Sequence, residues 1–425
     1  MRLRDFARAG HWPTLLSAFL YFDISFMAWV LIGALAPSIK EGLRLDDSRD
    51  GFMIGFMIAV PILGGSLLRL VLGVLTDHIG ARRTGLIGLT LTLVPLLLGW
   101  LWADSFPQIL LVGLMLGVAG ASFAAALPLA SRWYPPQYQG LAMGIAGAGN
   151  SGTALATLFG PMLANSLGWH AVFGIALGPV TLTLLVFLLL ARDAPGRVKA
   201  KRLTDYAAVL KMRDTWWFCL FYSVTFGGFV GLASFLNTFF VAQYGLKKPE
   251  AGLFTTGCVV AGSFLRPLGG YLADRFGGIR MLTALYVGAG LTMLGVTALP
   301  PLPVCFGLLF LGMGMLGMGN GSVFQLVPQR FPREIGVLTG IVGAAGGVGG
   351  FFLPNLLGGL KQLTDSFAGG FLVFAIVAFG CAGLLVVASR SWEGTFVGRG
   401  GLAAPPGGEV PVLADGSPAM AEAQA

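Results

Sequence analysis

The segment GSLLRLVLGVLTDHIG, residues 65–80, recurs in the second half of the chain as GSFLRPLGGYLADRFG, residues 262–277. In register, Gly65 matches Gly262, Ser66 matches Ser263, Leu68 matches Leu265, Arg69 matches Arg266, Gly73 matches Gly270, Asp77 matches Asp274 and Gly80 matches Gly277. Agreement this dense points to an internal duplication. Both copies also set one arginine inside a long apolar run, so the surroundings of that run decide what the chain is.

Of the 425 residues 56% are hydrophobic and 11% charged, with 65 glycines, and the mean hydropathy is +0.81. A water-soluble core does not require such a composition. Runs of roughly 20 apolar residues, enough to cross a bilayer as a helix, recur to about residue 390. Twelve spans are predicted, at 14–36, 51–74, 84–103, 107–130, 139–164 and 170–190, then at 215–242, 250–272, 281–299, 303–327, 336–360 and 367–389. The basic amino end has no small-residue cleavage site after its first apolar run, which is read as a retained span. The fold class is therefore an all-α membrane protein of two pseudo-symmetric six-helix halves.

Lys and Arg gather on alternate loops. Arg82, Arg83, Arg132, Arg275, Arg280, Arg330 and Arg333 share a side with both chain ends and with the basic stretch from Arg192 to Arg213. The opposite loops hold Lys40, Arg44, Arg49, Lys247, Lys248 and Lys361, the first three offset by Glu41, Asp46, Asp47 and Asp50. By the positive-inside rule both termini are cytoplasmic, in a multi-pass protein of the inner (plasma) membrane. The expected organisation is an N-terminal half at 1–190, a cytoplasmic interdomain loop at 191–214, a C-terminal half at 215–390 and a disordered tail at 391–425. The tail is rich in Gly, Ala and Pro and lacks an apolar stripe. The net charge of +8 is spread over short loops without a concentrated patch, which argues for membrane topology and against nucleic acid. Cys219, Cys258, Cys305 and Cys381 stand singly in apolar runs, as small buried residues and not as metal or redox groups, and no cofactor is expected.

Weaker echoes extend the duplication: GVAGASFAAALP (117–128) with GMGNGSVFQLVP (317–328), RWYP (132–135) with QRFP (329–332), and GIAGAGNSG (144–152) with GIVGAAGGV (340–348). Two parallel six-helix repeats form a transporter architecture whose substrate site lies between the halves near the midplane. Arg69 and Arg266 each precede an aspartate by eight residues, about 12 Å of helix, which brings them near the middle of a core about 30 Å thick. Each costs about 2.5–3.5 kcal/mol there on insertion scales. Of the 19 acidic residues only Asp23 lies well inside a predicted span, so carboxylates do not neutralise two arginines. A bound oxyanion does, gripped by two guanidinium forks.

The loop GVLTDHIGARR (73–83) resembles the G-x-x-x-D-x-x-G-x-R-R signature of the major facilitator superfamily. The segments FMAWVLIGALAP, GIAGAGNSGTALATLFGPMLA, YSVTFGGFVG, FLRPLGGYLADRFGG, GMGNGSVFQLVP and GIVGAAGGVGGFFLP resemble its nitrate/nitrite porter, or NarK-type, branch. That resemblance implies that Arg69 and Arg266 clamp nitrate or nitrite, that Asn150 donates an amide hydrogen bond, that Phe123 walls the flat ion and that Tyr222 offers its hydroxyl. Phe26 belongs either to that wall or to helix packing. Gly147 and Gly343 are implied to let packed helices slide. Gly73 and Gly270 permit close helix approach, and Asp77 and Asp274, at cytoplasmic helix ends beside residues such as Arg82 and Arg83, read as gating carboxylates.

Two fixed positive charges resist closure when empty and are partly neutralised when loaded, which predicts exchange of nitrate for nitrite by alternating access in a single chain. The rival is proton symport, with Asp23 as the carrier; His11, His78 and His170 stand at or before helix ends. An organic-phosphate antiporter also uses paired arginines, but the glycine segments favour the nitrate branch. No nucleophile, metal cluster or carboxylate pair suggests an enzyme, and no folded output domain suggests a sensor.

Overall fold

Backbone that crosses lipid must satisfy its own hydrogen bonds, and a helix does so within one segment. The computed structural model describes residues 9–195, 203–331 and 335–402, and among them the regular structure is helical. The first half comprises α1 (Trp12–Trp29), α2 (Leu31–Gly42), α3 (Gly51–Ile79), α4 (Ala81–Leu101), α5 (Phe106–Gly120), α6 (Phe123–Ser131), α7 (Pro136–Gly147), α8 (Gly152–Leu167) and α9 (Trp169–Leu190). A short helix, α10 (Leu203–Lys211), leads into α11 (Arg213–Tyr244), α12 (Lys248–Phe264), α13 (Arg266–Phe276), α14 (Gly278–Thr297), α15 (Leu302–Arg330), α16 (Ile335–Thr364) and α17 (Ala368–Trp392).

Eleven helical segments among the described residues are long and apolar enough to cross a membrane. The fifth crossing is the twelfth: α7 and α8 are joined through a 3-10 turn at Ala148–Ser151, so neither piece spans alone. Three other crossings are interrupted, between α1 and α2, between α5 and α6, and between α12 and α13. The last break has a plain cause. Pro267 has no N–H and falls in the first turn of α13, where that loss costs nothing. Its repeat partner is Leu70, and α3 runs unbroken past Arg69.

Within the halves, α3 packs on α5 and α13 packs on α15; between them, α3 meets α16 and α8 meets α12. The repeat explains the first pair of contacts. A Cβ on Gly117 would reach the backbone of Gly64 and Gly65; one on Gly317 would reach the backbone of Gly262 in α12, and one on Gly321 the backbone of Arg266 and Gly270 in α13. Lipid supplies no hydrophobic force between helices, so such close approaches hold the bundle together. Leu182, Leu189, Leu291, Ile376 and Val387 stay exposed on the outward faces of α9, α14 and α17.

The seam between the halves is closed at one end and parted at the other. At the closed end Lys248 pairs with Glu41, Ser48 Oγ donates to Asp365 Oδ1 at 3.1 Å, and the Phe52 N–H donates to Gln362 Oε1 at 3.0 Å. Slightly deeper, the Thr157 and Thr256 hydroxyls are 2.8 Å apart. At the other end a cavity of about 250 Å³ runs from Asp77 and Arg132 down to Arg69 and Phe123.

The glycines differ across this opening. Nothing lies within 4 Å of a Cβ built on Gly73 or Gly147, whereas a Cβ on Gly321 would stand 2.6 Å from the Gly270 N, so α13 and α15 approach closely at Gly270. Gly73 borders the cavity, so its neighbours are drawn apart in this conformation. The expectation for the tail is corrected in part. Residues 393–402 are folded back: Glu393 Oε1 accepts the Gly400 N–H at 2.8 Å, and Gly400 and Gly401 press on Gly277, Ile279 and Arg280. The basic residues Arg2, Arg4, Arg8 and Arg333, the middle of the interdomain loop at 196–202 and the rest of the tail at 403–425 lie outside the described residues.

Candidate functional site

Arg69 and Arg266 are brought together across the seam but are not equivalent. Arg69 is 1% exposed. Its Nη1 donates to the Gly343 carbonyl at 2.6 Å and its Nη2 to the Gly120 carbonyl at 2.8 Å, leaving Nε without a partner. Arg266 is half-buried at the first position of α13. Its Nη2 is 3.5 Å from the Tyr222 hydroxyl, and Nη1 is buried without a partner. The expected pair of equal forks thus becomes one arginine held largely by carbonyls and one with donors to spare.

Aromatic rings close a circuit around the two charges. The Arg69 guanidinium lies 5.3 Å from the Phe123 ring centre, 5.4 Å from Phe226 and 5.8 Å from Trp29. Arg266 lies 5.9 Å from Phe324. Phe123 and Phe324 are 6.4 Å apart, Tyr222 stacks on Phe226 at 5.1 Å, and Phe324 stands edge-on to Tyr222 at 5.0 Å. Ring faces attract cations, so these walls stabilise the arginines without bringing any negative charge. Sequence reasoning misses Phe226 and Phe324. Phe226 follows Tyr222 by four residues, the spacing that places two side chains on one helix face, and that is the one signal the sequence holds for it.

Phe26 is wholly buried against Phe22 and Trp29, with ring centres 4.4 and 4.8 Å away, and its ring centre lies 6.5 Å from that of Phe226, so it both packs its own helix and backs the aromatic wall. Asn150 is also fully buried, in the 3-10 turn of the fifth crossing, and neither carboxamide atom has a partner among the described residues. Asp23 accepts the Ser151 hydroxyl at 2.8 Å. Gly149 and Gly152 lie so close to the backbone of residue 23 that no side chain fits. Asp23 is therefore tied to the fifth crossing, and it forms no ion pair with either arginine.

At the open end Asp77 Oδ1 accepts from Arg132 Nη2 at 3.2 Å. Arg82 is occupied elsewhere, its N–H bonded to Asp193 at 3.0 Å and its Nη2 to the Leu188 carbonyl at 2.9 Å, while Arg83 is exposed. Asp274 is exposed and has no ion pair among the described residues. Arg330, next to the Gln329 that the repeat pairs with Arg132, is taken by Asp214 at 2.6 Å, and Trp392 Nε1 donates to the same carboxylate at 2.9 Å. Replacing Asp214 by asparagine keeps an acceptor for Trp392 but weakens the bond to a mostly buried guanidinium. A cost of about 2 kcal/mol is expected, read as melting about 5 °C lower in detergent, with transport otherwise intact.

The geometry sets two guanidiniums with unpartnered buried nitrogens among a ring of aromatic side chains, and the cavity that reaches Arg69 and Phe123 opens at the end bearing Asp77 and Arg132. Residues 17–354 match the Major Facilitator Superfamily. The chain is 36% identical to the nitrite extrusion protein of Bacillus subtilis (strain 168), over 87% of this chain and 91% of that one. It is 33% identical to the probable nitrate/nitrite antiporter NarK1 of Thermus thermophilus, over 81% and 85%. Among solved structures the xylose transporter XylE from E. coli shares the fold, with a TM-score of 0.70 at 15% identity, over 88% of this chain and 97% of that one.

Proposed function

The chain belongs to the major facilitator superfamily, and on that premise we propose that it carries nitrate and nitrite through the membrane, exchanging one for the other by alternating access. The observation that carries this reading is Arg266, a charged group at the seam with an unpartnered buried Nη1 and only a long contact to Tyr222. Arg69, Phe123, Tyr222 and Asn150 complete the anion site in this reading. Gly343 keeps a place because its carbonyl is an acceptor for Arg69 and its missing side chain leaves room for the Arg69 chain.

Sidedness follows from charge. The parted end carries Arg82, Arg83, Arg132, Arg275, Arg280 and Arg330, so it faces the cytoplasm of the inner membrane, and the conformation is inward-open. Asp77 and Asp274 act as gate carboxylates, the first already paired and the second awaiting closure, when Gly73 and Gly147 come into contact; Gly270 already lies against Gly321. The two six-helix halves rock about the site, and one chain suffices. Exchange follows because the unpaired charge of Arg266 opposes passage through a closed, low-dielectric state unless an anion rides with it.

The test is counterflow. Proteoliposomes loaded with nitrite and given labelled nitrate should take it up at a rate set by internal nitrite and indifferent to an imposed pH gradient. Uptake that requires the gradient and ignores internal nitrite would instead make Asp23 a proton carrier.

A further inference from the structure

Asn320 is 0% exposed, and neither its Nδ2 nor its Oδ1 has a partner among the described residues. Leaving both ends of a buried carboxamide unbonded is costly. Its direction follows from its neighbours on α15. A Cβ on Gly319 would meet Thr225 of α11, and one on Gly321 would meet the Arg266 carbonyl and the Gly270 N–H. Successive residues turn by about 100°, so Asn320 points between these two directions, toward the helices that bear Tyr222 and Arg266. Phe324, one turn further on the same face, touches both of those residues. Asn320 thus stands one turn deeper than Phe324, away from the open end.

The repeat sharpens the point. Aligning GVAGASF with GMGNGSV pairs Asn320 with Gly120. In the first half no side chain fits there, because the Trp29 indole fills the space, and the Gly120 carbonyl serves Arg69. In the second half the same position holds an amide with no bond, beside an arginine with an unpartnered Nη1.

Building on the anion reading above, we propose that Asn320 is a second amide donor of the site, opposite Asn150, and that it distinguishes nitrate from nitrite. Nitrate offers three oxygens in a plane. The unpartnered guanidinium donors, chiefly those of Arg266, and Asn150 serve two of them in either ion, and Asn320 Nδ2 donates to the third. In nitrite the corresponding acceptor is the nitrogen itself, one N–O bond length further from the donor. The amide therefore binds nitrate and adds little to nitrite.

The test is titration calorimetry of the full chain in detergent with sodium nitrate and, separately, sodium nitrite. Asn320→Leu keeps the volume and removes the amide, Asn320→Ala serves as a second variant should leucine fail to fold, and Arg266→Lys is the reference. Nitrate affinity is expected to fall tenfold or more, about the worth of one hydrogen bond to a charged acceptor, while nitrite affinity changes less than about threefold. Unchanged nitrate affinity in the Asn320 variants, with loss in Arg266→Lys, overturns this inference alone. Equal loss of both ions overturns the discriminating role. Unchanged nitrate affinity in Arg266→Lys as well rejects the anion site itself.

Discussion

Replacing Arg266 by lysine will raise the nitrate concentration for half-maximal counterflow by one to two orders of magnitude. The substitution keeps the charge and removes the planar fork. A lysine ammonium on its flexible stem cannot present two parallel N–H groups to two oxygens of one ion, and a lost charge-assisted hydrogen bond is worth about 1.5–3 kcal/mol. Arg266 is the more sensitive of the two arginines because its donors are uncommitted, whereas Nη1 and Nη2 of Arg69 are bound to Gly343 and Gly120. Initial rates over a nitrate series, for protein that still reaches the membrane, check the prediction. An unaltered half-maximal concentration would show that the fork does not grip the ion.

Replacing Gly317 by leucine will have the largest effect on folding. A Cβ at this position would stand 2.6 Å from the Gly262 carbonyl carbon, and backbone cannot swing aside as a side chain can. The eighth and tenth crossings must separate, carrying Arg266 away from Phe324. Overpacking costs up to about 3 kcal/mol, occasionally more, which corresponds to melting roughly 10 °C earlier. Gly307→Leu on the same helix is the control, since open space surrounds it. Size-exclusion profiles after graded heating separate the two.

The crossings are legible in the sequence because apolar length is a property of composition, and the duplication by itself pairs Arg69 with Arg266. What the two arginines touch is not legible there. The acceptors of Arg69 are carbonyls of Gly343 and Gly120, and a carbonyl has no side-chain signature. Sequence symmetry also hides a structural asymmetry, the break that Pro267 makes beside one arginine and not the other. Gly73 and Gly147 illustrate another limit: close approach depends on which end of the seam is shut, and sequence does not specify a conformation. Residues 393–402 lack an apolar stripe, yet they pack through Gly400 and Gly401, where small size lets backbone meet backbone.

The bond from Arg69 to the Gly343 carbonyl joins the two halves through a residue of the proposed anion site. Ligand affinity and the cohesion of the two bodies thereby share one thermodynamic cycle. By whatever factor an anion on Arg69 loosens that junction, separating the halves must tighten the hold on the anion. A variant that shifts the balance between joined and parted halves through this contact will therefore change its apparent affinity for substrate without any change in the groups that surround the ion.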